Sequence, residues 1–109
     1  MLGGWAADAA AQTLRFSNVV IDAGHGGKDG GSVWNGLIEK KLCLDVAKRV
    51  EAGLKSRGLK TTMTRRADTF VELSQGARLA NRVPSSIFVS VHFNGSRTTL
   101  ISGGEVYYR

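Results

Sequence analysis

The chain has 109 residues, with 15 Lys+Arg against 9 Asp+Glu for a formal net charge of +6, 42% hydrophobic residues and 22% charged ones. That is ordinary globular composition, so a disordered chain is excluded and a single domain with a modest core is expected. The lone cysteine, Cys43, excludes an intrachain disulfide, and no run approaches the roughly 20 apolar residues of a membrane-spanning helix.

Residues 1–17 are alanine-rich, without a basic start or a continuous apolar stretch, and read as a leader-like or disordered N-terminal segment. A domain is expected over 18–109. Val19-Val20-Ile21 is a β-branched run that stops at glycines, which predicts a buried strand. Six glycines within 24–36 predict a loop. Cys43, Val46, Ala47, Val50 and Leu54 then recur at helical period and predict a helix over 39–57, closed by a left-handed cap at Gly58. Residues 59–64 alternate and predict a strand. Leu73, Ala77 and Ala80 predict a second, shorter helix that Pro84 stops. Residues 86–92 (SIFVSVH) and 104–108 (GEVYY) predict two more strands. The fold class is therefore α/β, a largely parallel or mixed β-sheet flanked by helices, with the chain ending after the fourth strand.

The basic surplus sits in residues 40–66, with nine bases against two acids. Such a block suits an anionic polymer, but Lys40, Lys41, Lys48, Arg49 and Lys55 mostly fall off the apolar stripe and read first as a solvated helix face. No aromatic residue interleaves these bases, so the stacking platforms of single-strand binders are absent and no nucleic-acid partner is expected.

Only two histidines exist. His25 follows the first strand in D-A-G-H-G-G, and His92 closes SIFVSVH. Parallel strands present their carboxyl ends on one edge, where open α/β folds place their sites, so the two imidazoles can reach one metal ion. Glu39 opens the long helix at the same edge, as a third ligand or as a first-turn acid favoured by the helix dipole. Two histidines, one carboxylate and an open position form a zinc-hydrolase donor set.

Cys43 lies on the apolar stripe and reads as a core thiol. Trp34 stands beside the presumed cleft as a substrate contact, Trp5 lies in the leader-like segment, and Asn94 is placed to orient the pocket. A phosphate-binding loop does not fit, because Lys28 is followed by Asp29 instead of Ser or Thr. A dinucleotide fingerprint fails because the helix starts some ten residues late.

The ordered motifs V-V-I-D-A-G-H-G-G-K-D-G-G, N-G-L-I-E-K, T-R-R-A-D, L-A-N, F-V-S-V-H-F-N and G-G-E-V-Y-Y resemble the zinc-dependent N-acetylmuramoyl-L-alanine amidases of the Amidase_3 type. The resemblance implies His25, Glu39 and His92 as zinc ligands and 18–109 as an incomplete amidase-like domain. It also implies peptidoglycan as substrate, a periplasmic or extracellular setting in the cell envelope, and room for a protein activator. Two positions depart from the family pattern. Gly76 stands where the family usually has arginine, and a glycine inside a helix costs about 1 kcal/mol, so a weakened helix is expected there. The family's catalytic glutamate lies about sixty residues beyond the second histidine, outside this chain. Glu105 is a poor substitute, because the family carries an acid there in addition to the catalytic one. A weak or inactive zinc amidase is the expected function, and a non-catalytic peptidoglycan-binding or regulatory remnant of the same fold is the alternative.

Overall fold

The β-branched run near the start of the sequence becomes the middle of a sheet. A computed structural model describes residues 16–93. Its elements are β1 (Asn18–Ala23), β2 (Val33–Trp34), β3 (Leu37–Ile38), α1 (Glu39–Ser56), β4 (Lys60–Met63), α2 (Leu73–Arg82) and β5 (Ser86–Val91). Three strands form a sheet in the order β4-β1-β5, and both pairings with β1 are parallel. The expected strand over 104–108 lies outside the described residues.

Register decides which side each residue serves, since residues paired across parallel strands share a face. Ile21 pairs with Met63 and Val89, and Ala23 with Val91. This face carries the main core, where Val19, Ile21 and Ala23 pack with Cys43 and Ala47 of α1. Each large aliphatic buried there is worth about 1.5–3 kcal/mol. On the opposite face Val20 pairs with Phe88, and Gly76 of α2 lies against the Phe88 ring. The sheet is thus covered by one helix on each side.

Helix α1 has no side-chain cap at its start; instead the Glu39 and Lys40 amides donate to the Ser32 and Gly30 carbonyls, at 2.8 and 3.0 Å. Its end matches the sequence reading. Gly58 has φ +86°, its amide donates to the Lys55 carbonyl, and the Leu59 amide donates to the Leu54 carbonyl. This is a Schellman cap. Lys41, Lys48, Arg49 and Lys55 are exposed on α1, and Arg49 pairs with Asp45 at 3.2 Å.

Two expectations are corrected. The stretch 24–36 is not all loop, because Val33–Trp34 pairs antiparallel with Leu37–Ile38 around Asn35-Gly36. Both turn residues have positive φ, 49° and 80°, as a two-residue hairpin turn of this kind needs, and Asn-Gly is its favoured pair. Gly76 does not break α2. The helix runs through it, and an added Cβ would come within 3.0–3.1 Å of the Phe88 ring and the Thr64 methyl. The lost propensity is offset by close helix–sheet approach, and a Glu72–Gln75 capping box secures the helix start. At the other end of the expected domain, Ser17 already joins the sheet, its amide donating to Ser85 and its carbonyl accepting from Lys60.

Candidate metal centre

The carboxyl ends of β1 and β5 lie side by side, with the Gly24 amide donating to the Val91 carbonyl at 2.9 Å as the last rung of the ladder. His25 follows at φ +64°, a left-handed conformation that non-glycine residues seldom adopt. The turn closes when Gly26 and Asp29 exchange two backbone bonds of 2.7 and 3.0 Å. That closure brings the Asp29 carboxylate to the His25 ring, with Oδ2 2.9 Å from Nδ1. Engaging Nδ1 in this way turns Nε2 toward the other candidate ligands, the arrangement that orients metal-binding histidines.

Nε2 of His25 points at Glu39, 2.9 Å from Oε2. Glu39 is buried, yet both its oxygens are satisfied: Oε1 accepts from the Ser32 amide at 2.9 Å and Oε2 from the Phe93 amide at 2.8 Å. His92 completes the group, its Nδ1 3.8 Å from Glu39 Oε2 and its ring edge-on to His25 with centroids 5.0 Å apart. Donor atoms of His25, Glu39 and His92 all lie within 4.8 Å of one another.

Two glycines make this convergence possible. A Cβ on Gly24 would sit 2.6 Å from His92 Cε1, and one on Gly31 would sit 2.7 Å from His25 Cδ2 and 2.8 Å from Glu39 Oε1. Both are places where only a hydrogen fits.

The charges agree with a cation site. Burial alone would raise the Glu39 carboxyl, but the Ser32 and Phe93 amides and the His25 ring outweigh it and hold it below the usual carboxylate range. Burial would lower the His25 imidazole, but hydrogen bonds to Asp29 and Glu39 reverse that and raise it. Asp29 is lowered by its bond to His25 and by the Gly31 amide. A ring flanked by two anions is a place prepared for positive charge, and a divalent ion competes for it with a proton. Two imidazoles, one carboxylate and a solvent-facing side suit a hydrolytic zinc site.

The three residues singled out in the sequence are therefore brought together. Cys43 is not among them; burial pushes its thiol up to about 11, which leaves it an inert core residue. Trp34 is 55% exposed on the β2–β3 hairpin, whose base is bonded to Glu39 through Ser32. Asn94, Glu105 and Trp5 lie outside the described residues.

Sequence reasoning missed Asp29, although an acid four residues after a candidate ligand in the same loop was the available signal. It also missed Asp22, which sits buried on β1 with its oxygens accepting from Thr64 Oγ1 at 2.7 Å and Ser90 Oγ at 2.6 Å. That carboxylate, three residues before His25 in the sequence, ties β1 to β5 and to the residue that follows β4.

Comparison with known proteins bears on this geometry. The profile of the Amidase_3 family, described as N-acetylmuramoyl-L-alanine amidase, matches residues 19–109. The N-acetylmuramoyl-L-alanine amidase LytC of Bacillus subtilis (strain 168) is 38% identical over 90 residues, 83% of this chain and 18% of LytC. The endolysin of Bacillus phage SPP1 is 46% identical over 79 residues, 72% of this chain and 29% of the endolysin. Among solved structures, the amidase AmiC2 of Nostoc punctiforme superposes with a TM-score of 0.68 at 47% identity, covering 73% of this chain and 45% of that one. An N-acetylmuramoyl-L-alanine amidase from Clostridium difficile 630 superposes with a TM-score of 0.70 at 32% identity, covering 82% of this chain and 50% of that one. This chain spans half or less of the length of each of these relatives.

Proposed function

Because the chain belongs to the N-acetylmuramoyl-L-alanine amidase family, we propose that His25, Glu39 and His92 hold a zinc ion used to hydrolyse the amide between N-acetylmuramic acid and L-alanine in peptidoglycan. The observation that carries this reading is the convergence of two imidazoles and one carboxylate within 4.8 Å at one sheet edge. When bound, zinc supplies Lewis-acid polarisation of the scissile carbonyl and lowers the pKa of the attacking water.

The protein's own groups do the rest. Asp29 fixes the His25 ring so that Nε2 faces Glu39, where the two side chains would hold the ion. Glu39 contributes the negative charge, and the Ser32 and Phe93 amides stop it from rotating. His92, 41% exposed at its side chain, forms the solvent and substrate side. Glu39 is unsuited to be the general base, since both its oxygens are engaged and its carboxyl is held low. Proton transfer belongs to another carboxylate. We assign Trp34 to substrate contact beside the cleft and Asn94, outside the described residues, to orienting the pocket. The substrate sets the reaction in the cell envelope, periplasmic or extracellular. No described helix is long and apolar enough to cross a membrane.

The test uses the protein at its natural length, stripped of metal and supplied with purified peptidoglycan. Zinc-dependent appearance of new L-alanine amino termini is expected, with loss on chelation and in His25→Ala. Zinc-dependent binding of peptidoglycan without cleavage would favour the non-catalytic alternative, and release of reducing sugars would contradict amide hydrolysis.

A further inference from the structure

We propose that Arg65 is a positioning residue that locks the two ligand-bearing elements, the end of β1 and the first turn of α1, at the separation the metal centre needs. The inference rests on the zinc reading above and adds a residue whose hydrogen bonds among the described residues go to backbone carbonyls and to none of the three ligand side chains.

Arg65 is 4% exposed, in the segment that follows β4. Its guanidinium donates to four backbone carbonyls: Nε to Ala23 at 2.9 Å, Nη2 to Gly24 at 2.8 Å and to Lys40 at 2.9 Å, and Nη1 to Ala67 at 3.0 Å. The placement of the acceptors is what matters. Ala23 and Gly24 immediately precede His25, and Lys40 immediately follows Glu39. One planar cation therefore bridges the peptide planes beside two ligands that are 14 residues apart in sequence.

Burying a guanidinium is costly unless its donors are satisfied. Among the described residues no carboxylate forms an ion pair with it, so carbonyl dipoles carry the compensation. A rigid fork of donors fixes angles as well as distances, which the single ammonium of lysine cannot do. A core-filling role alone would be met by an apolar side chain of similar volume at lower desolvation cost.

A second strap runs between the same two elements. Lys40 Nζ donates to the Gly27 carbonyl at 3.0 Å and to Asp68 Oδ2 at 2.9 Å, while the Gly27 amide donates to Asp68 Oδ1 at 2.7 Å. Residues 65–68 thus grip the His25 loop and the start of α1 from one side. The Lys40–Asp68 pair, whose carboxylate is exposed, is the weaker strap.

The test compares Arg65→Lys and Arg65→Met with Arg66→Met. Arg66 is the next residue, exposed and paired with Glu51 away from the site, so its variant reports general destabilisation. Three readouts are taken on each: zinc affinity by chelator competition, the visible spectrum of the cobalt(II) form, and the metal-free imidazole ¹⁵N spectrum of His25. Arg65→Lys is expected to fold, to bind zinc roughly 10–100-fold more weakly, and to change the cobalt spectrum and the His25 nitrogen signals. Arg66→Met is expected to lose stability with all three readouts unchanged. Wild-type-like zinc affinity and spectra in folded Arg65→Lys would overturn the proposal. If the wild type itself takes no zinc, the zinc reading fails, and the metal-free His25 spectrum then decides Arg65 alone: an altered spectrum in Arg65→Lys supports the lock, and an unchanged one overturns it.

Discussion

The two histidines stand at the ends of neighbouring strands but are held by different means. His25 is 20% exposed at its side chain, with each ring nitrogen 2.9 Å from a carboxylate oxygen. His92 is 41% exposed, and its approach to Glu39 is 3.8 Å. The β1–α1 side is a preset half, whereas the β5 side offers a ring with room to adjust. Preset groups lose little conformational entropy on binding, so the β1–α1 half would carry the smaller ordering cost if a cation were bound.

The largest effect that would break this contrast is expected from Glu39→Gln. It keeps the shape but removes the charge facing both rings, and stoichiometric zinc binding by calorimetry should be lost. Asp29→Ala comes next. It frees the His25 ring without touching a ligand, and zinc affinity should fall roughly 10–100-fold, as measured by chelator competition. Gly31→Ala should also weaken zinc, because its Cβ would press on His25 and Glu39 from a backbone at φ +70°. Denaturant titration should register a loss of about 1 kcal/mol or more in that variant.

Asp22→Ala removes no ligand. It leaves the Thr64 and Ser90 hydroxyls without their shared acceptor, and stability should fall by about 1–3 kcal/mol while the folded fraction still binds zinc. The smallest effect is expected from Glu51→Gln, on the far stretch of α1. The Arg66 guanidinium, helped by Thr61 Oγ1, holds the Glu51 carboxyl below the usual range against the cost of burial. A depressed carboxyl stabilises the fold above its unfolded pKa of about 4.3 and loses that contribution as pH falls through its lower folded value. Melting of Glu51→Gln between neutral and acid pH should therefore decline less steeply than wild type, with zinc affinity unchanged.

Much of this was legible in the sequence because it depends on periodicity and short spacings. The β-branched run 19–21, the stripe through Cys43 and Ala47, and Gly58 each express a local rule that the tertiary structure then obeys. The pairing of His25 with His92 was legible too, since parallel strands align their carboxyl ends. Other features depend on contacts that no spacing encodes. Gly76 is disfavoured by helix propensity and is retained where Phe88 needs the space. The hairpin was readable in Asn35-Gly36 but was hidden by the glycines around it. Arg65 stood both in the T-R-R-A-D motif and in the charged block, but its role was not legible there, and only the folded chain reveals its acceptors.

The most direct test of the central claim is anomalous diffraction at the zinc edge from crystals of the protein grown with one equivalent of zinc. The account predicts a single peak about 2.0–2.2 Å from a nitrogen of His25, a nitrogen of His92 and a carboxylate oxygen of Glu39. A peak elsewhere, or no peak with the three side chains in place, would contradict it.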